Sequence, residues 1–118
     1  MESSAQPGDQ LEADLAQALD RLWLRFLPEI RERVGILEAA AAAVGAQKLS
    51  RADCEAAQSA AHKLAGVLGT FNLTRGTVLA REAEILFTRD EIGGEDAARL
   101  QTIAGEIRMI VEGRGGAS

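Results

Sequence analysis

The 118-residue chain has no tyrosine, one tryptophan, three phenylalanines, one cysteine, one histidine and two prolines. A single cysteine excludes an internal disulfide and suits a reducing compartment. Aromatics make up 3% of the residues against 47% for hydrophobics, a diet of alanine and leucine that favours closely packed helices over sheet. No apolar run approaches the roughly 20 residues needed to cross a bilayer, and Met1 to Gln10 lacks the basic and apolar regions of a signal peptide. A cytoplasmic protein without membrane contact is expected. An excess of positive charge is missing too. The formal charge of −5 and pI near 4.9 argue against a phosphate-backbone footprint, and therefore against nucleic acid as a partner. One histidine and one cysteine cannot supply the three or four ligands of a zinc site, so no metal site is expected. Glycine-rich nucleotide loops, Walker patterns and kinase signatures are absent, and the scattered carboxylates lack a nucleophile or second histidine to work with.

What is present organises as one domain, since the length allows one real core and not two comfortable ones. Residues 1–8 are polar and expected to be disordered, 9–112 form the helical domain, and 113–118 are a flexible Gly-rich tail. Five helices are predicted. The first runs from Asp9 to Leu27, where Pro28 disfavours helical geometry in the preceding residue, and carries Leu11, Leu15, Leu19, Leu22 and Phe26 as a core stripe. Pro28 opens the second, whose Ile30, Val34, Leu37, Ala41 and Val44 keep a helical beat up to a stop near Gly45. Ser50, with Asp53 three residues on, caps a third that ends near Phe71 or Asn72. Thr74 caps a fourth to about Thr88. After a turn at 90–94, a fifth places Ala97, Leu100, Ala104, Ile107 and Val111 inward. Such helices bury their stripes most simply as an all-α, antiparallel up-and-down four-helix bundle with an additional N-terminal helix.

The lone histidine sits in Ala60-Ala61-His62-Lys63-Leu64-Ala65-Gly66-Val67-Leu68-Gly69, a helical segment that nevertheless spends two glycines beside the imidazole. Cys54, Ala57, Ala61, Leu64, Leu68 and Phe71 share one apolar stripe, so Cys54 is expected as a packed thiol. His62 projects about 130° from the centre of that stripe, flanked by Gln58, Ser59, Ala65, Gly66 and Gly69. The result is an exposed imidazole on a patch of small residues that another protein's surface can approach closely. Imidazole is largely neutral near pH 7 and offers a nucleophilic nitrogen. Lys63 is the adjacent cation, able to reach around the helix although it projects about 100° from His62.

Ala61, His62, Leu64 and Gly66 match in register the pattern of the histidine-containing phosphotransfer (HPt) domains, which this chain resembles over most of its length. Two positions depart from that pattern: Ala65 stands where a lysine is usual, and Asn72 replaces a later glycine. The segment Leu79-Ala80-Arg81-Glu82-Ala83-Glu84 is similar to the helix that follows the histidine helix in such domains. The resemblance implies a two-component phosphorelay carrier, not an enzyme. His62 would accept and donate the phosphoryl group, Lys63 would stabilise it, and Gln58, Ser59, Ala65, Gly66 and Gly69 would form the docking patch. It implies as partners a response-regulator receiver domain, whose site holds Mg²⁺, and a hybrid sensor histidine kinase, with no cofactor in the chain itself. The competing expectation is a catalytically silent helical adaptor that binds a partner through the same patch.

Overall fold

The computed structural model describes residues 7–115. Its regular structure is helical throughout: α1 Pro7–Gly45, α2 Arg51–Thr70, α3 Thr74–Phe87 and α4 Gly94–Gly115. α1 packs on α2 and α4, and α3 packs on the same two. Neighbouring helices run in opposite directions, as the cross-helix pairs show. Trp23 near one end of the bundle meets Phe71 at the far end of α2. Gln58 and His62 meet Phe87 and Glu84, Glu82 and Arg75 meet Arg99 and Glu106, and Glu38 and Arg31 meet Arg108 and Glu112.

The break expected at Pro28 does not occur, so four helices replace the five, and the additional N-terminal helix is the first half of a 39-residue α1. Proline deletes the hydrogen bond that residue 28 would give to the Leu24 carbonyl. Leu24 and Pro28 are both exposed, which leaves that carbonyl to water, while Trp23, Leu27 and Ile30 anchor the other face on both sides of the proline. The expected stripe in this segment is corrected as well. Leu11, Leu15, Leu22 and Phe26 are exposed, Leu19 is half-buried, and Trp23 and Leu27 enter the core instead. Both stripes obey the helical period, and the bundle's end at Phe71 and Arg114, which surround Trp23, leaves Leu11 and Leu15 nothing to pack against.

Elsewhere the spacing arguments hold. Ile30, Val34, Leu37, Ala41 and Val44 are buried, as are Ala97, Leu100, Ala104, Ile107 and Val111. The Ser50 hydroxyl accepts the Asp53 amide at 3.0 Å and caps α2. α2 closes in a Schellman turn: Asn72 takes a left-handed φ of 61°, Leu73 donates to the Leu68 carbonyl at 2.9 Å and Asn72 to that of Gly69 at 3.0 Å. α1 ends at Gly45, its expected stop, and closes the same way, with Gln47 at φ 57° and Lys48 donating to Ala43 at 2.8 Å. Thr74 does not cap α3; it is the first helical residue, and Leu73 before it supplies no side-chain bond. Pro7 and Gly8 begin α1 and residues 113–115 continue α4, although both stretches were assigned to tails; residues 1–6 and 116–118 lie outside the described part. None of the described helices is long and apolar enough to cross a membrane.

Candidate functional site

α2 and α3 approach each other through small residues. Ala57, Ala60, Ala61 and Ala65 are buried on α2, and Gly76, Ala80 and Ala83 on α3. A Cβ on Gly76 would come within 2.9 Å of Leu68 Cδ1, so this glycine is needed for close approach. That proximity lets side chains of one helix reach the other. The Thr77 hydroxyl donates to the Ala65 carbonyl at 3.0 Å. Gln58 Nε2 at 2.5 Å and Cys54 Sγ at 3.1 Å both donate to the carbonyl of Phe87, one of the last-turn carbonyls that α3 itself cannot satisfy.

His62 stands on the outer edge of this pair with its side chain 74% exposed. Its Nδ1 lies 3.0 Å from a carboxylate oxygen of Glu84, a side chain only 32% exposed. An ionised carboxylate can only accept, so Nδ1 carries the hydrogen and Nε2 keeps its lone pair free. The contact favours the Nδ1–H tautomer, and Nε2 makes no hydrogen bond among the described residues. His62, Ala65, Gly66, Arg81, Glu84 and Ile85 line one open groove of about 310 Å³. Of the two arginines within α3, Arg75 is engaged by Glu106 at 2.9 Å, whereas Arg81 makes no ion pair among the described residues. Val78 and Ile85, one turn before and one turn after Arg81 on the same outer face, expose 54% and 62% of their surface.

The residues singled out in the sequence separate into three groups. Gly66 lines the groove beside His62, and a Cβ built on it would meet nothing within 4 Å. Ser59 and Lys63 are exposed on α2, but neither lines the groove. Four others contact α3. Ala65 is buried, its carbonyl accepts from Thr77 of α3, and it also lines the groove beside His62. Gly69 is exposed, yet its Cβ position lies 3.3 Å from the Thr77 hydroxyl, so it too borders α3. Gln58 spends its amide on Phe87 and faces a different groove from His62, and Cys54 is half-buried rather than fully packed. Spacing arguments missed Glu84, Arg81 and Ile85. All three lie in or next to the Leu79–Glu84 segment, but only the α2–α3 register brings them to the histidine.

A family model described as "Hpt domain" matches residues 21–113. Among curated proteins the chain is similar to Protein RcaC of Microchaete diplosiphon, 30% identical over 107 residues. That alignment covers 90% of this chain and 16% of RcaC, so the chain spans about a sixth of its relative's length. No solved structure matches it.

Proposed function

The chain belongs to the Hpt domain family, and with the phosphotransfer role in two-component signalling that membership brings, we propose that Nε2 of His62 is the atom that carries the phosphoryl group. The observation that supports this reading is the Nδ1–Glu84 hydrogen bond on an otherwise exposed ring. The Nε2 lone pair attacks the phosphorus of a receiver domain's aspartyl phosphate; the P–N bond forms as the P–O bond breaks, and the aspartate leaves as a carboxylate. The positive charge that arises on the ring faces Glu84. Transfer of this kind depends on positioning and charge neutralisation, so the carrier needs little beyond a presented nitrogen and one cation. Arg81, unpaired and lining the histidine's groove, fits that cation better than Lys63, which does not line it. Mg²⁺ and the aspartate come from the receiver partner, and a hybrid sensor kinase supplies phosphate to the relay. Gly66, Arg81 and the exposed Ile85 form the surface on which the receiver sits.

Incubation with a phosphorylated receiver domain and Mg²⁺ tests this. Label should appear on His62 as a phosphoramidate that is lost in acid and survives alkali, and His62→Gln should accept none while remaining helical. Arg81→Ala should slow transfer in a salt-sensitive way and Lys63→Ala should change it less. Tight receiver binding with no acid-labile label would leave the adaptor in its place.

A further inference from the structure

We infer that the N-terminal half of α1 is a dimerisation element that pairs antiparallel with the same segment of a second copy of this chain. Leu11, Leu15 and Leu22 expose 69%, 61% and 40% of their surface. With Ala18 they recur at spacings of four, three and four residues, the beat of a two-stranded coiled-coil seam. Residues 8–17 are exposed without exception, on a helix that stretches the molecule to 67 Å while its cross-section is 20 by 20 Å. A projecting helical segment of about 12 residues is marginal in water without tertiary support. An apolar stripe on such a segment needs a cover that the described residues do not provide.

Charge identifies the cover. Residues 7–18 carry Asp9, Glu12 and Asp14 and no base, whereas Arg21 and Arg25 follow within two turns. Asp20, just before Arg21, is taken by Arg114 at 3.1 Å, and Arg21 has no ion pair among the described residues. A parallel pair would set acid beside acid. An antiparallel pair with Leu11 opposite Leu22 of the second copy, and Leu15 opposite its Ala18, sets Asp14 beside Arg21 of the second copy, and does so twice through the two-fold axis. Asp14 is otherwise held only by the neutral amide of Gln10 at 3.1 Å. The seam is self-complementary in both shape and charge, and it stands apart from His62, so the inference does not rest on phosphotransfer.

Sedimentation and light scattering of the full chain test it, with circular dichroism to follow the fold. The wild type should show twice the 12.5 kDa chain mass at high micromolar concentration. Leu15→Glu should be monomeric with its thermal transition retained, since Leu15 is exposed in the protomer. Asp14→Arg and Arg21→Asp should each weaken the dimer by about 10-fold or more, and the two together in one chain should restore it. A wild type that stays monomeric, or a dimer that survives Leu15→Glu, overturns the seam. Single charge changes without effect, or a double variant that is not rescued, overturn the antiparallel register.

Discussion

The two long helical contacts of this bundle, α1 on α4 and α2 on α3, are built on opposite plans. α1 and α4 meet through large side chains: Ile30, Val34 and Leu37 against Ile103, Ile107 and Val111, all buried. Their edges are laced by paired guanidinium–carboxylate bonds, Arg31 to Glu112 at 2.7 and 2.8 Å and Arg108 to Glu38 at 2.7 and 3.1 Å. α2 and α3 meet through alanines and a glycine, and reach across with single hydrogen bonds from Thr77, Gln58 and His62. Burying apolar volume is what stabilises the first contact. The second gives up that volume for proximity, and proximity is what lets Glu84 set the histidine's tautomer and Arg81 share its groove.

If that contrast is right, truncation should hurt the first contact and enlargement the second. Ile107→Ala, at a fully buried position, is expected to cost about 2–5 kcal/mol in denaturant unfolding, the range for a large-to-small core change. A cost no greater than that of a surface substitution would erase the distinction. Gly76→Leu should cost about 1–3 kcal/mol, because even its Cβ lies 2.9 Å from Leu68 Cδ1 and the rest of the side chain has only Leu68 and Ile110 to displace. The same change at Gly66, on the outer side of the same helix pair, sharpens the comparison. Nothing lies within 4 Å of that Cβ, so Gly66→Leu should fold as well as the wild type or gain up to about 1 kcal/mol. Receiver-dependent phosphate exchange should nevertheless fall, while labelling by a small phosphodonor falls less. Unfolding of this variant would show that Gly66 packs rather than clears the surface.

The smallest effect belongs to the ion pairs. The Arg108 guanidinium hydrogen-bonded to Glu38 holds that carboxyl below its ordinary value. A depressed folded-state pKa contributes stability that is present above the ordinary carboxylate range and is lost as pH falls through the folded value. Glu38→Gln should therefore lower stability slightly near neutral pH and merge with the wild type in acid. Both side chains are more than a third exposed, which keeps the neutral-pH difference within about 0.5 kcal/mol. A larger difference, or one that grows in acid, would contradict the assigned pairing.

That His62 and Gly66 share an exposed helix face was legible in the sequence because the relation is local. His62 and Gly66 are one turn apart on one helix, and an apolar stripe on the opposite face orients both outward. Gln58 and Ala65 have neighbours the sequence does not announce, because a helical wheel shows the angle of a side chain and not what lies beside it. Both point toward the flank that α3 comes to occupy, where one caps the Phe87 carbonyl and the other is buried. Glu84 and Arg81 were beyond reach for the same reason, since 22 and 19 residues of chain separate them from His62 and nothing in their local pattern records the register of the hairpin.

The sequence by itself determined that this chain is helical, where the core faces of α2 and α4 lie, and that its one histidine faces outward, because period, capping chemistry and side-chain identity act within a few residues. Only the tertiary structure decided that α1 passes through Pro28 unbroken, since whether a lost backbone bond is tolerated depends on which face meets water. It also decided which of two adjacent leucine-rich stripes enters the protomer's core, because a helix offers both and the length of its neighbours accepts one.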